Sequence, residues 1–166
     1  KNAMKKLFLF FLSFIVISCN DDDVEPIVTP PFVPVVINPV LIAKDNQNIP
    51  IEGISMENFI INENSSWINI KNLMDAPYIA FGLGNYYTET NFTETTIDFT
   101  NYTVIAVFDQ VYGNGGHSID ITNITEFENN ITVTVENLQT GNTSSVVTQP
   151  YHIVKIPKAS KPIVFE

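Results

Sequence analysis

The chain carries one cysteine, Cys19, and it stands at the end of an apolar stretch near the N-terminus. Everything after it must therefore fold without a disulfide and without a thiolate metal site, so its stability has to come from packing. The composition allows this. With 45% hydrophobic residues and 11% aromatics over 166 residues, one ordinary domain with a buried core can form.

Two lysines, Lys5 and Lys6, precede the apolar run Leu7 to Ile17, which has the length of a signal-peptide core and is too short to span a bilayer comfortably. The run ends in Val16-Ile17-Ser18-Cys19, which resembles a lipobox, where the cysteine receives diacylglycerol. Residues 1–18 are therefore expected to be a signal peptide, with Lys1-Asn2-Ala3 ahead of Met4 standing outside that reading. Cys19 is the expected lipidation site, and the membrane is reached through its lipid. Asn20-Asp21-Asp22-Asp23 follows directly, and an acidic run in that place resembles a surface-export signal of some lipoproteins. The expected address is the outer membrane or cell surface.

Charge narrows the partners. Without Lys1, Lys5 and Lys6, five lysines face 18 acidic residues, a balance of −13, and there is no arginine. A nucleic-acid backbone needs a basic face to release its counterions, and bidentate phosphate clamps need arginine, so no nucleic-acid partner is expected.

From residue 19 to 39 the prolines Pro26, Pro30, Pro31, Pro34 and Pro39 favour an extended tether, although Val33 to Ile37 could instead add an edge strand. A single domain is expected over residues 40–166. Asn64-Ser65-Ser66 supplies N-cap residues before Trp67, and Trp67, Ile70 and Leu73 or Met74 share a helical face that Asp75-Ala76-Pro77 should terminate. Tyr78 to Thr96 reads as a long loop. Val104 to Phe108 is wholly apolar, as a strand covered on both faces is. Ile119 and Ile121 alternate with polar residues, Asn129-Asn130 turns the chain into Ile131 to Val135, and Pro150 to Pro157 and Ile163 to Phe165 follow. The expected fold is mainly β (α+β): an antiparallel sandwich or a partly open barrel with one short helix packed on it.

The order of these pieces carries a resemblance. A tryptophan-bearing helix is followed by Asp98-Phe99-Thr100 with Val104-Ile105-Ala106-Val107, then by Gly115 to Ile121, then by Pro150-Tyr151-His152-Ile153-Val154-Lys155-Ile156-Pro157-Lys158. From Glu57 to Phe165 this resembles the C-terminal domain of the protease complex subunit PrcB family. The resemblance implies a secreted or lipid-anchored accessory protein without chemistry of its own, whose namesake helps assemble a surface protease complex. One departure stands out, because the family's Gly-Gly-Tyr is Gly115-Gly116-His117 here.

Chemistry is hard to place on this chain. His117 and Asp120 on one alternating strand would face opposite ways, which speaks against a metal site. Ser118 and His117 are neighbours and would also point apart, so they do not form a nucleophile and base. His152 is expected at a polar rim between Tyr151 and Ile153. No cofactor, no metal and no enzyme activity are expected. The candidate partner contacts are Gly115, Gly116, His117 and Ser118 in a turn, Tyr86 and Tyr87 in the long loop, and Tyr151 and His152 on an exposed strand face. An envelope protein is the expected partner. A glycan is the alternative, for which Tyr86, Tyr87 and Phe92 would form a stacking platform.

Overall fold

The computed structural model describes residues 30–48 and 53–166, of which Phe32–Glu166 form one compact unit. The expected signal peptide, Cys19 and the acidic run lie outside the described residues. Ten elements follow in order: β1 (Val35–Val36), β2 (Val40–Asn48), β3 (Glu57–Ile61), α1 (Asn64–Ala80), α2 (Tyr86–Asn91), β4 (Tyr102–Phe108), β5 (Asp120–Glu126), β6 (Ile131–Glu136), β7 (Thr148–Pro157) and β8 (Ile163–Phe165).

The strands make two four-stranded sheets, ordered β2-β7-β4-β3 and β1-β5-β6-β8. They form a sandwich and do not close into a barrel. The apolar run at β4 explains the layering. Val104, Ala106 and Phe108 join Trp67, Ile70 and Met74 of α1 in one core, while Ile105 and Val107 join Ile121, Ile124, Ile131 and Val133 in another. A strand alternates its side chains between two faces, so a wholly apolar strand is one with cover on both. One face of its sheet carries the helices and the other carries the second sheet.

Three details depart from the sequence expectation. Val35 and Val36 pair with Thr125 and Glu126, so the end of the proline-rich tether is an edge strand of the domain. The last strand, β8, pairs parallel with β6. The chain reverses once into β7, in the other sheet, and again into β8, so β8 returns in the direction of β6. Between Ile121 and Asn123 the β5 ladder shifts register by a bulge. The bulge turns Ile124 back to the inner face after Ile119 and Ile121, which a strict period of two would have placed outside.

The helix also outlasts its expected stop. Pro77 lies inside α1, which starts after Glu63 and ends at Ala80, and Trp67, Ile70, Met74 and Pro77 are buried along one side while Leu73 is exposed. Burying each such apolar side chain is worth about 2 kcal/mol, on the order of what a proline costs the helix interior. The true terminator is Gly82, at φ +76°. Its N–H donates to Ile79 O at 2.9 Å and that of Leu83 donates to Tyr78 O at 2.9 Å, the pair of bonds of a Schellman motif. The region expected to be a long loop therefore contains the end of α1 and all of α2.

Candidate functional site

Two loops meet at one end of the sandwich. The β4–β5 loop and the β6–β7 loop exchange backbone bonds: Gly115 N to Ser144 O at 3.1 Å, Asn142 N to Gly115 O at 2.8 Å, and Gly141 N to Gly116 O at 3.1 Å. Gly116 and Gly141 hold positive φ, and a Cβ on Gly141 would collide with the His117 ring. That ring lies flat on Tyr112, with centroids 3.5 Å apart, and its Nε2 is 3.1 Å from Asn114 Oδ1. His117 is thus a packed member of a closed turn.

Behind the turn lies a buried carboxylate, Asp120. It accepts from Ser118 Oγ at 2.5 Å and from Leu138 N at 3.2 Å, and it forms an ion pair with Lys44. Burial pushes its pKa up, but the bonds from Lys44, Ser118 and the Leu138 amide outweigh this and hold it below the usual value. Ser118 Oγ in turn accepts the Gln139 N–H at 3.0 Å. The hydroxyl is committed to Asp120 and to a backbone amide, while His117 turns to Asn114 and Tyr112. No nucleophile and base are brought together here. A second buried carboxylate, Asp109, accepts from Tyr112 Oη at 2.9 Å and from Asn137 Nδ2 at 2.5 Å, which pins the same loops. Among the described residues no group of three or more histidine, cysteine or carboxylate side chains is placed to hold a metal ion.

His152 sits between the sheets. Ile121 donates its backbone N–H to His152 Nδ1 at 2.9 Å, beside the β5 bulge, so a side chain of one sheet satisfies an amide of the other. Burial and the nearby Lys44 lower its pKa to about 4, against the pull of Asp120, and the ring is neutral at pH 7. It is 8% exposed and Tyr151 is 1% exposed, so neither is a surface contact. The expected polar rim does not exist because both faces of β7 are covered.

Tyr87 is also buried. Its hydroxyl donates to that of Tyr151 at 3.1 Å, and burial raises both phenols, Tyr151 to about 12. Phe92 stacks obliquely against Trp67 with centroids 5.7 Å apart. The three-ring platform expected for a glycan is therefore absent, since two of its rings belong to the core and Tyr86 alone is exposed. The helix that carries Tyr87 is held by Asp75, a buried residue of α1. Its carboxylate accepts from Thr88 N at 3.0 Å and from Thr88 Oγ1 at 2.6 Å. Asn85, at the N-cap of α2, makes no side-chain cap bond, so Asp75 caps α2 from the neighbouring helix.

The Schellman turn leaves its apolar residues uncovered. Pro77, Tyr78, Phe81 and Leu83 line an open groove of about 560 Å³ whose other wall is Val146 and Val147 of the β6–β7 loop. Phe81 is 67% exposed and Leu83 56% exposed, and Tyr86 stands beside the groove with its ring centroid 6.1 Å from that of Tyr78. Sequence reasoning reached Tyr86 and missed the rest, although Phe81-Gly82-Leu83 carries the signal of a helix end whose flanking residues are apolar.

Compared with known families, the chain matches the PrcB C-terminal model over residues 103–157. The match runs from β4 through β7, the central pair of the helix-bearing sheet and the β5–β6 hairpin beneath it. It contains both zipped loops, Asp120 and His152, whereas the helices, β3 and β8 of the broader sequence resemblance fall outside it. Neither the curated proteins nor the solved structures gave a match.

Proposed function

We propose that this chain, with its PrcB C-terminal match, is a lipid-anchored envelope protein whose domain acts as a non-catalytic accessory module of a surface protease complex. The family match over residues 103–157 is the observation that carries the reading. The address rests on the N-terminal sequence: the apolar run, the lipobox-like Val16-Ile17-Ser18-Cys19 and the acidic residues behind it. A lipid on Cys19 would hold the domain beside membrane partners and raise its effective concentration there.

The contact surface we assign is the apolar groove beside α1, with Tyr86 at its margin. Exposed apolar side chains gathered in one concavity favour burial against a partner's side chains. The Gly115 to Ser118 turn of the β4–β5 loop is zipped to the β6–β7 loop that supplies Val146 and Val147, so it would frame the contact. Tyr87, Tyr151 and His152 act from beneath, holding the helices and sheets in register.

Crosslinking on intact cells, followed by capture of the tagged protein and mass spectrometry, tests the reading. Wild type should recover one dominant envelope protease, while Cys19→Ala, which cannot be anchored, and Phe81→Asp, which charges the groove, should lose it. Recovery of bulk membrane proteins alone, or of the same protein by both variants, would overturn it.

A further inference from the structure

Among the described residues two of the four outer strands are too short to extend a sheet, and a third is blunted over its first residues. β1 is two residues long, between Pro34 and Pro39. β2 is bulged between Leu41 and Ala43, and Thr93 donates to its edge, from N to Ile42 O at 2.9 Å and from Oγ1 to Leu41 O at 3.0 Å. β8 is three residues long and follows Pro162. Short length, bulges, prolines and covering contacts are the usual ways in which proteins blunt an edge.

β3 has none of these. It pairs with β4 over five consecutive residues, Glu57 to Ile61, without a bulge, a proline or a lysine. In an antiparallel ladder alternate residues turn their N–H and C=O groups away from the partner strand. Among the described residues no backbone group beyond β4 bonds to these. Along the edge Glu57, Asn58 and Ile60 are exposed, Ile60 to 40%, and Met56, just before the strand, is 69% exposed. Beside the edge, the seam between the sheets widens into a groove of about 330 Å³, where Met56 and Asn58 meet Val135 and Phe165 of the other sheet and Glu57 and Glu166 stand at the rim.

The geometry points to β3 as a docking strand for an extended segment of a partner polypeptide, which joins the sheet as a fifth strand beside β3. Main-chain bonds supply affinity in such pairing, and alternate side chains supply specificity. The occupant has apolar residues at alternate positions, to fill the seam, and lysine or arginine beside Glu57 and Glu166. A second copy of this chain is the poorer match, because 14 acidic residues against five lysines between Phe32 and Glu166 make two copies repel. This surface is separate from the groove beside α1 and does not depend on it.

The test is hydrogen exchange read by mass spectrometry on the full lipidated chain in detergent micelles. The probe is a synthetic decapeptide of alternating valine and threonine with lysines at both ends. It should slow exchange at residues 57–61 at least tenfold. Replacing its lysines by glutamate, or introducing Ile60→Lys or Met56→Lys at the exposed edge, should weaken binding at least tenfold, while Phe81→Asp should leave it unchanged. Unaltered exchange at residues 57–61, protection confined to the groove beside α1, or a dimer in sedimentation that Ile60→Lys abolishes would each overturn the assignment.

Discussion

Replacing Asp75 by alanine should undock α2. The carboxylate is 1% exposed and makes two bonds to Thr88, which is itself 2% exposed. A hydrogen bond to a charged group is worth about 1.5–3 kcal/mol, and a buried donor left without a partner costs a further amount of similar size. Against this stands the desolvation of the carboxylate, which the alanine variant no longer bears. The balance is a loss of about 3 kcal/mol. For a domain of this size each kcal/mol moves the melting temperature by about 4 °C, so the midpoint should fall by about 12 °C. Asp75→Asn keeps an acceptor for the Thr88 amide and should lose only about 1 kcal/mol. Urea titration of both variants, together with Thr88→Val and the double mutant, isolates the contact, and the coupling energy should be about 1.5 kcal/mol. Hydrogen exchange at residues 86–91 should quicken more than at β4. A cost under 1 kcal/mol for Asp75→Ala, or no coupling to Thr88→Val, would refute the assignment of Asp75 as the cap of α2.

Two further outcomes follow from the loop end of the sandwich. His152 is held at about 4 when folded, against about 6.5 when unfolded. As pH falls through 6.5 the unfolded chain takes up a proton that the folded one refuses, so stability present above pH 6.5 should drain away towards pH 4, by about 2 kcal/mol after allowance for partial screening. Urea midpoints at pH 7, 5.5 and 4.5 should show this slope, and His152→Gln, which keeps an acceptor but no titrating ring, should flatten it. An equal slope in both proteins would assign the acid sensitivity elsewhere. Gly141→Ala forces a side chain into φ +98° and against the His117 ring, and should cost about 2 kcal/mol in thermal melts, whereas Gly113→Ala, with open space around it, should be nearly neutral.

Much of the sandwich was legible because hydrophobic alternation is local. The run Val104 to Phe108 announced a strand covered twice, Asn129-Asn130 announced the β5–β6 hairpin, and Trp67, Ile70 and Met74 announced the buried face of α1. The PrcB resemblance was legible for a related reason, since its short motifs lie on β4, the Gly115 turn and β7, which the family match also spans. Pro77 misled because its cost is local and visible in the sequence, while the compensating burial of the residues around it is not.

The candidate surface divides along the same line. Cys19 as the lone cysteine, the lack of arginine and the acidic balance are properties of the chain, and they set the expectation of a domain held by packing before any folding. Alternation on β7 likewise places Tyr151 and His152 on opposite faces. Whether a face meets solvent, a helix or a second sheet depends on residues distant in sequence, and only the tertiary structure decided that the helices cover Tyr151 and the bulged β5 covers His152. The same holds for Asp75, which finds its partner 13 residues away through the fold of two helices, and for β3, left as an edge because its chain neighbour β2 pairs with β7 instead. Local pattern sets which way a side chain points, and long-range packing sets what it meets.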